Sequence, residues 1–132
     1  MKSDIDIKDE IYNLLKGTEL AQAVTGGVYK TRRPKNSTKE DIIIAVVANE
    51  GSQRQEAVVN VNVYVEDNII DGQPEEDTIR CRELADIAKS VLNDIHINGV
   101  WLKASPQRVF EAQDIPWHII NTRYNYRIIN EQ

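Results

Sequence analysis

Cysteine is nearly missing from this sequence. Cys81 stands alone among 132 residues, which excludes an internal disulfide and any metal site built from several thiolates. Histidine is almost as scarce. His96 and His118 are the only two, and neither has a Cys or second His at metal-ligand spacing. No apolar stretch approaches the roughly 20 residues that a bilayer-crossing helix requires. An excess of basic charge is also lacking: the net charge is -5, which opposes general affinity for nucleic acid, a term dominated by clustered Lys and Arg. There is no Gly-rich phosphate loop followed by Lys-Ser or Lys-Thr, no Gly-x-Ser-x-Gly turn, and no Asp-x-Asp-x-Asp-Gly spacing to wrap calcium. The opening residues, Met1-Lys2-Ser3-Asp4-Ile5-Asp6, carry no apolar leader core, so synthesis inside the cell is expected.

What remains is an ordinary globular composition, 41% hydrophobic and 28% charged, sufficient for one domain over 1–132. The strongest pattern is Ala57 to Val65. Val59, Val61, Val63 and Val65 alternate with Asn60, Asn62 and Tyr64, predicting a strand with one buried and one polar face. Before it, Ile42 to Ala48 is apolar at every position and predicts a strand covered on both faces. Ser3 to Lys16 predicts a helix through Ile7, Ile11, Leu14 and Leu15, with Gly17 ending it in a left-handed conformation and Thr18 capping a short further turn. Val28-Tyr29 begins a strand, and the Pro-containing polar segment from Thr31 to Lys39 is a loop. Asp71-Gly72-Gln73-Pro74 breaks the chain. A second helix is expected from Glu75 to about Ile95, with Ile79, Leu84, Ile87, Ala88, Val91, Leu92 and Ile95 on one stripe. Val100 to Lys103 and Trp117 to about Ile129 complete the strands, with Pro106 marking an edge or an interruption. The expected fold is α+β, a mainly antiparallel sheet of about five strands with two helices on one face, in the order α-β-β-β-α-β-β.

Reactive residues are few, and each has a plain structural reading. His96 and His118 suit structural or surface roles. Cys81 lies near a helix start between Arg80 and Arg82, which could lower its pKa, yet no base stands at a recognisable spacing and an inert, partly buried thiol is expected rather than a nucleophile. No catalytic, metal-binding or cofactor-binding residue is therefore assigned. Charge is segregated instead. Lys30, Arg32, Arg33, Lys35 and Lys39 make a basic segment, and Glu66, Asp67, Asp71, Glu75, Glu76 and Asp77 an acidic one. Opposite patches on one chain suit head-to-tail contact between copies, which closes into a ring when the rotation divides a full turn. The candidate oligomer interface is Lys30, Arg32, Arg33, Lys35, Lys39, Glu66, Asp67 and Asp71, together with Arg123 and Arg127 on the outer face of the last strand.

An N-terminal helix, Val24-Thr25-Gly26-Gly27-Val28-Tyr29, the basic Lys30-Thr31-Arg32-Arg33-Pro34, paired strands, Leu84-Ala85-Asp86-Ile87-Ala88 and a late Tyr124-Asn125-Tyr126 occur in this order. That order resembles the small tail-terminator, or tail-completion, proteins of long-tailed bacteriophages and prophages. The resemblance implies a non-enzymatic structural protein without a cofactor, assembling as a ring, usually a hexamer. Such a ring caps the tail tube and helps join the head, so the implied partners are copies of itself, the tail tube protein and a head-tail connector protein. No membrane or specific nucleic-acid partner is implied, and the implied location is the bacterial cytoplasm during assembly and then the virion tail. Rival readings are another head-tail connector component, a small α+β ligand-binding domain or enzyme using Cys81 or His118, and nucleic-acid binding by the Arg32-Arg33 loop.

Overall fold

The structure, a computed structural model, describes residues 2–51 and 55–129. Helix α1 (Asp4–Lys16) starts where the sequence places it. The Ser3 hydroxyl accepts from the Asp6 backbone N–H, and the Asp6 carboxylate accepts from the Ser3 N–H, forming a reciprocal cap. Ile7, Ile11 and Leu15 are buried from it. Gly17 is not left-handed as expected; its φ is -93°, and the chain leaves the helix through Thr18, whose hydroxyl donates to the Leu15 carbonyl at 2.7 Å. The short α2 (Glu19–Ala23) follows and buries Leu20.

The alternating segment forms the sheet's central strand. Strand β1 (Val28–Tyr29) runs parallel to β2 (Ile42–Gly51), and β2 runs antiparallel to β3 (Gln55–Glu66). Strand β3 continues into a short separate hairpin, β4 (Asn68–Ile70) and β5 (Gln73–Glu75), before α3 (Thr78–Val91). Then come β6 (Ile95–Ile97), β7 (Val100–Ala104), β8 (Arg108–Glu111) and β9 (Trp117–Ile128). The main sheet has seven strands in the order β1-β2-β3-β9-β7-β6, with β8 also on β9. β9 pairs with β3 from Glu56↔Arg127 to Glu66↔Trp117. On its other edge, β7 takes one half of β9 and β8 takes the other.

Valine alternation in β3 meets Ile120, Thr122, Tyr124, Tyr126 and Ile128 of β9 on one face, and the apolar stripes of α1 and α3 cover them. Tyr124 is fully buried, and its hydroxyl donates to the Ala88 carbonyl at 2.7 Å, tying α3 to the sheet. Both long helices thus pack on one face of a mainly antiparallel sheet, as expected for the α+β class.

Several details differ from the sequence reading. The sheet has more than five strands, and the order gains β4, β5, β6 and β8. Glu75 and Pro74 lie in β5, so α3 begins later, capped by the Asp77 carboxylate accepting from the Arg80 N–H. Ile95 leaves the helix stripe and forms β6, which returns through Asn98-Gly99, both at positive φ. That is the turn geometry in which Asn-Gly joins two adjacent strands. Pro106 interrupts a long strand, dividing β7 from β8. Strand β2 is covered on only one face: Ile42 and Ile44 are buried, whereas a bulge between Val46 and Ala48 turns Val47 outward to 54% exposure.

Candidate functional site

The basic loop between β1 and β2 is built around Arg33. Its Nε donates to Asp41 Oδ2 at 3.0 Å, and its Nη2 to the Lys39 carbonyl at 2.9 Å. The guanidinium also lies over the rings of Tyr64 and Trp117, 4.5 and 4.1 Å from their centroids. Asp41 is 1% exposed and further accepts from the Ser37 hydroxyl at 2.6 Å and the Gly27 N–H at 3.3 Å. Arg33 is therefore committed to its own chain, as a pin holding the loop against the sheet.

Other predicted interface residues divide into two groups. Lys30 pairs with Asp9 at 2.8 Å and lies over Tyr12, tying the loop's first turn to α1. Arg123 donates to Asn60 Oδ1 at 3.1 Å, and Arg127 to Glu56 at 3.0 Å, both across the exposed face shared by β3 and β9. Arg32, Lys35 and Lys39 are exposed, as are Glu66 and Asp71. Arg32 and Lys35, with Tyr29, Arg33 and Pro34, line a groove of about 480 Å³.

Asp67 sits at the root of the β4–β5 hairpin, and its carboxylate meets His118 Nδ1 at 2.6 Å. His118 Nε2 is 3.7 Å from Glu76 Oε1, on the other root of the same hairpin. The Asp67 N–H donates to the Pro116 carbonyl at 3.0 Å. One imidazole thus stands between the two strands leading into the arm. Sequence reasoning missed this junction because 67, 76 and 118 become neighbours only through the β3–β9 register.

Above the junction, the hairpin packs little of itself. Every residue of β4 and β5 is exposed, including Ile69 at 63% and Ile70 at 48%. Asp71 and Gly72 both take positive φ, the two-residue turn that matches strand twist. In this register the Ile69↔Pro74 pair directs its backbone nitrogens outward, so the proline removes the donor from the outer edge of β5. That edge of β5 is a poorer template for a further strand.

Cys81 is the inert, buried thiol that the sequence favours, but its pKa moves opposite to the lowering that Arg80 and Arg82 suggested. Burial, and then the carboxylates of Glu76, Asp77, Asp67 and Glu40, push its pKa up to about 11. The adjacent Arg80 does not counter this because its guanidinium is engaged with both Glu40 oxygens at 2.7 Å and with the Ala23 carbonyl. The thiol is protonated at neutral pH and is a poor nucleophile. Burial likewise raises Tyr126 to about 12. Both groups bind their proton more tightly folded than unfolded, so their contribution to stability is whole below about pH 9 and is lost as pH rises through 11 to 12. Urea midpoints across pH 8 to 11 are expected to fall by a smaller amount in Cys81→Ala than in the parent chain.

Among the described residues, no group of three or more His, Cys, Asp or Glu side chains is placed to hold a metal ion. No described helix is long and apolar enough to cross a membrane. Compared with protein-family models and with curated proteins, the chain matches none.

Proposed function

We propose that this chain is a non-enzymatic structural subunit of a phage or prophage tail, acting as a terminator that assembles with copies of itself into a ring. The hexameric ring caps the tail tube and helps join it to the head through a connector protein. The single observation behind this reading is the β4–β5 arm. A hairpin of three-residue strands is marginal in water, and one that holds two isoleucines in solvent gains most from a surface outside its own chain. The segregated basic loop supplies a surface of opposite charge, and the order of motifs in the sequence resembles that of the tail-terminator family.

The reading is tested on tail tubes assembled with and without the protein. Added protein is expected to bind tube ends and hold tube length constant, read by electron microscopy, and light scattering is expected to give a ring mass on tube ends or in solution. Overlong tubes in its absence support termination. Tubes of normal length that fail to attach to heads would assign the chain to another joining component, and indifference of tubes and heads to the protein would overturn the reading.

A further inference from the structure

We propose that the arm of one copy docks into the Tyr29–Lys35 groove of the next copy, a contact that rests on the self-assembly reading above. The two parts are chemically matched. The arm offers Ile70 and the Glu75 carboxylate on one face, Ile69 and Pro74 on the other, and Asp71 at its turn, all of them exposed. The groove is lined by Tyr29 and Pro34 and by the cationic Arg32, Arg33 and Lys35, of which Arg33 is already held by Asp41. No ion pair among the described residues engages Arg32, Lys35, Asp71 or Glu75.

Both parts are held ready by their own chain. Arg33 is drawn to Asp41 and the Tyr64 and Trp117 rings, which leaves its neighbours Arg32 and Lys35 on the solvent side of the loop. The arm is anchored by the Asp67–His118 contact and by the Asp67–Pro116 hydrogen bond. Fixing each surface beforehand reduces the ordering cost of association.

Loop and arm emerge at the same end of the sheet, since Tyr64 on β3 donates its N–H to Asp41 at the start of β2. Pro74 of the arm faces the β8–β9 turn, sharing a cavity of about 430 Å³ with Glu111, Asp114, Ile115, Pro116 and Trp117, and Trp117 is also the ring beneath Arg33 of the loop. Both surfaces are therefore presented at one end of the sheet, where a neighbouring copy can reach them.

Charge exchange tests the contact. D71K/E75K and R32E/K35E each place like charges together, and each is expected to weaken association roughly tenfold or more by sedimentation equilibrium at low salt. The four substitutions combined restore opposite charges and are expected to recover most of the loss. All four positions are exposed, and unchanged circular dichroism and urea midpoints verify folding. If the parent chain assembles and neither reversal weakens it, the docking contact is overturned while the ring reading stands. Weakening by each pair without recovery in the combination also overturns it, because the two surfaces then meet other partners. A parent chain that neither self-associates nor caps tubes overturns both.

Discussion

Arg33→Met is expected to lower folding stability by about 3–5 kcal/mol, the largest effect of any single substitution at the candidate interface. The substitution removes the cation from a carboxylate that is almost sealed from water; the two side chains are 13% and 1% exposed. Asp41 then keeps only the Ser37 hydroxyl and the Gly27 N–H, neutral donors that cannot replace a charge. The stacked guanidinium between Tyr64 and Trp117 is lost as well. Urea unfolding followed by tryptophan fluorescence measures the change. Adding Asp41→Asn to Arg33→Met is expected to recover part of the loss, since no uncompensated charge then remains buried. A loss below about 1 kcal/mol in Arg33→Met would show that the pair is no more than a surface ion pair.

Gly26→Ala is expected to cost about 3 kcal/mol, toward the upper end of what overpacking does. A methyl group there would fall inside the van der Waals envelope of Asp41 Oδ1 and of the Glu40 backbone carbonyl. The Gly26 N–H donates to that same carbonyl at 2.8 Å, so the two backbones cannot separate without losing the bond. Gly27→Ala provides the contrast. Its methyl would meet only the Tyr29 ring, at 3.1 Å and beyond, and a side chain can rotate aside where a carbonyl cannot. The two adjacent glycines should therefore differ by roughly 2 kcal/mol in thermal or urea unfolding. Equal losses would mean that the close approach of Gly26 to the 40–41 backbone is not what holds the loop.

These two effects converge on one small assembly, and it was not legible beforehand. Arg33 reads in sequence as one of five equivalent cations in a polar loop. Its pairing with Asp41 is local, yet the rings it covers come from β3 and β9, whose juxtaposition depends on the long β3–β9 register. Lys30 is similarly absorbed by Asp9 on α1. Of the basic segment, Arg32, Lys35 and Lys39 keep the exposed character expected of an interface. The acidic segment divides the same way: Asp67 turns in to His118, while Asp71 and Glu66 remain outside.

The missed strands have a different cause. Asp71-Gly72 and Asn98-Gly99 are both strong hairpin signals, and three of the four strands they join, β4, β5 and β6, are only three residues long. Three residues are too few to establish an alternation, so in the sequence Ile95 continues a helical stripe and Pro74 resembles a helix start. The apolar run of β2 misleads for another reason. β-branched residues suit a strand whether one face or both are covered, and nothing in their order records that both long helices choose the same side.

Local order therefore reaches as far as the patterns that close on themselves within a few turns. The capped first helix, the valine alternation of β3, the stripe of α3 and the long final strand all follow from side-chain period and capping chemistry, because period and cap are written in consecutive residues even where the pairing partner is distant. Which charges become structural and which stay outside was settled by tertiary contact. A carboxylate's partner is chosen by distance in space, and the low-dielectric interior makes an unmatched charge far costlier than a surface one. The arm belongs to that second class: its turn is written locally, but its isolation exists only because the sheet beneath it is already complete.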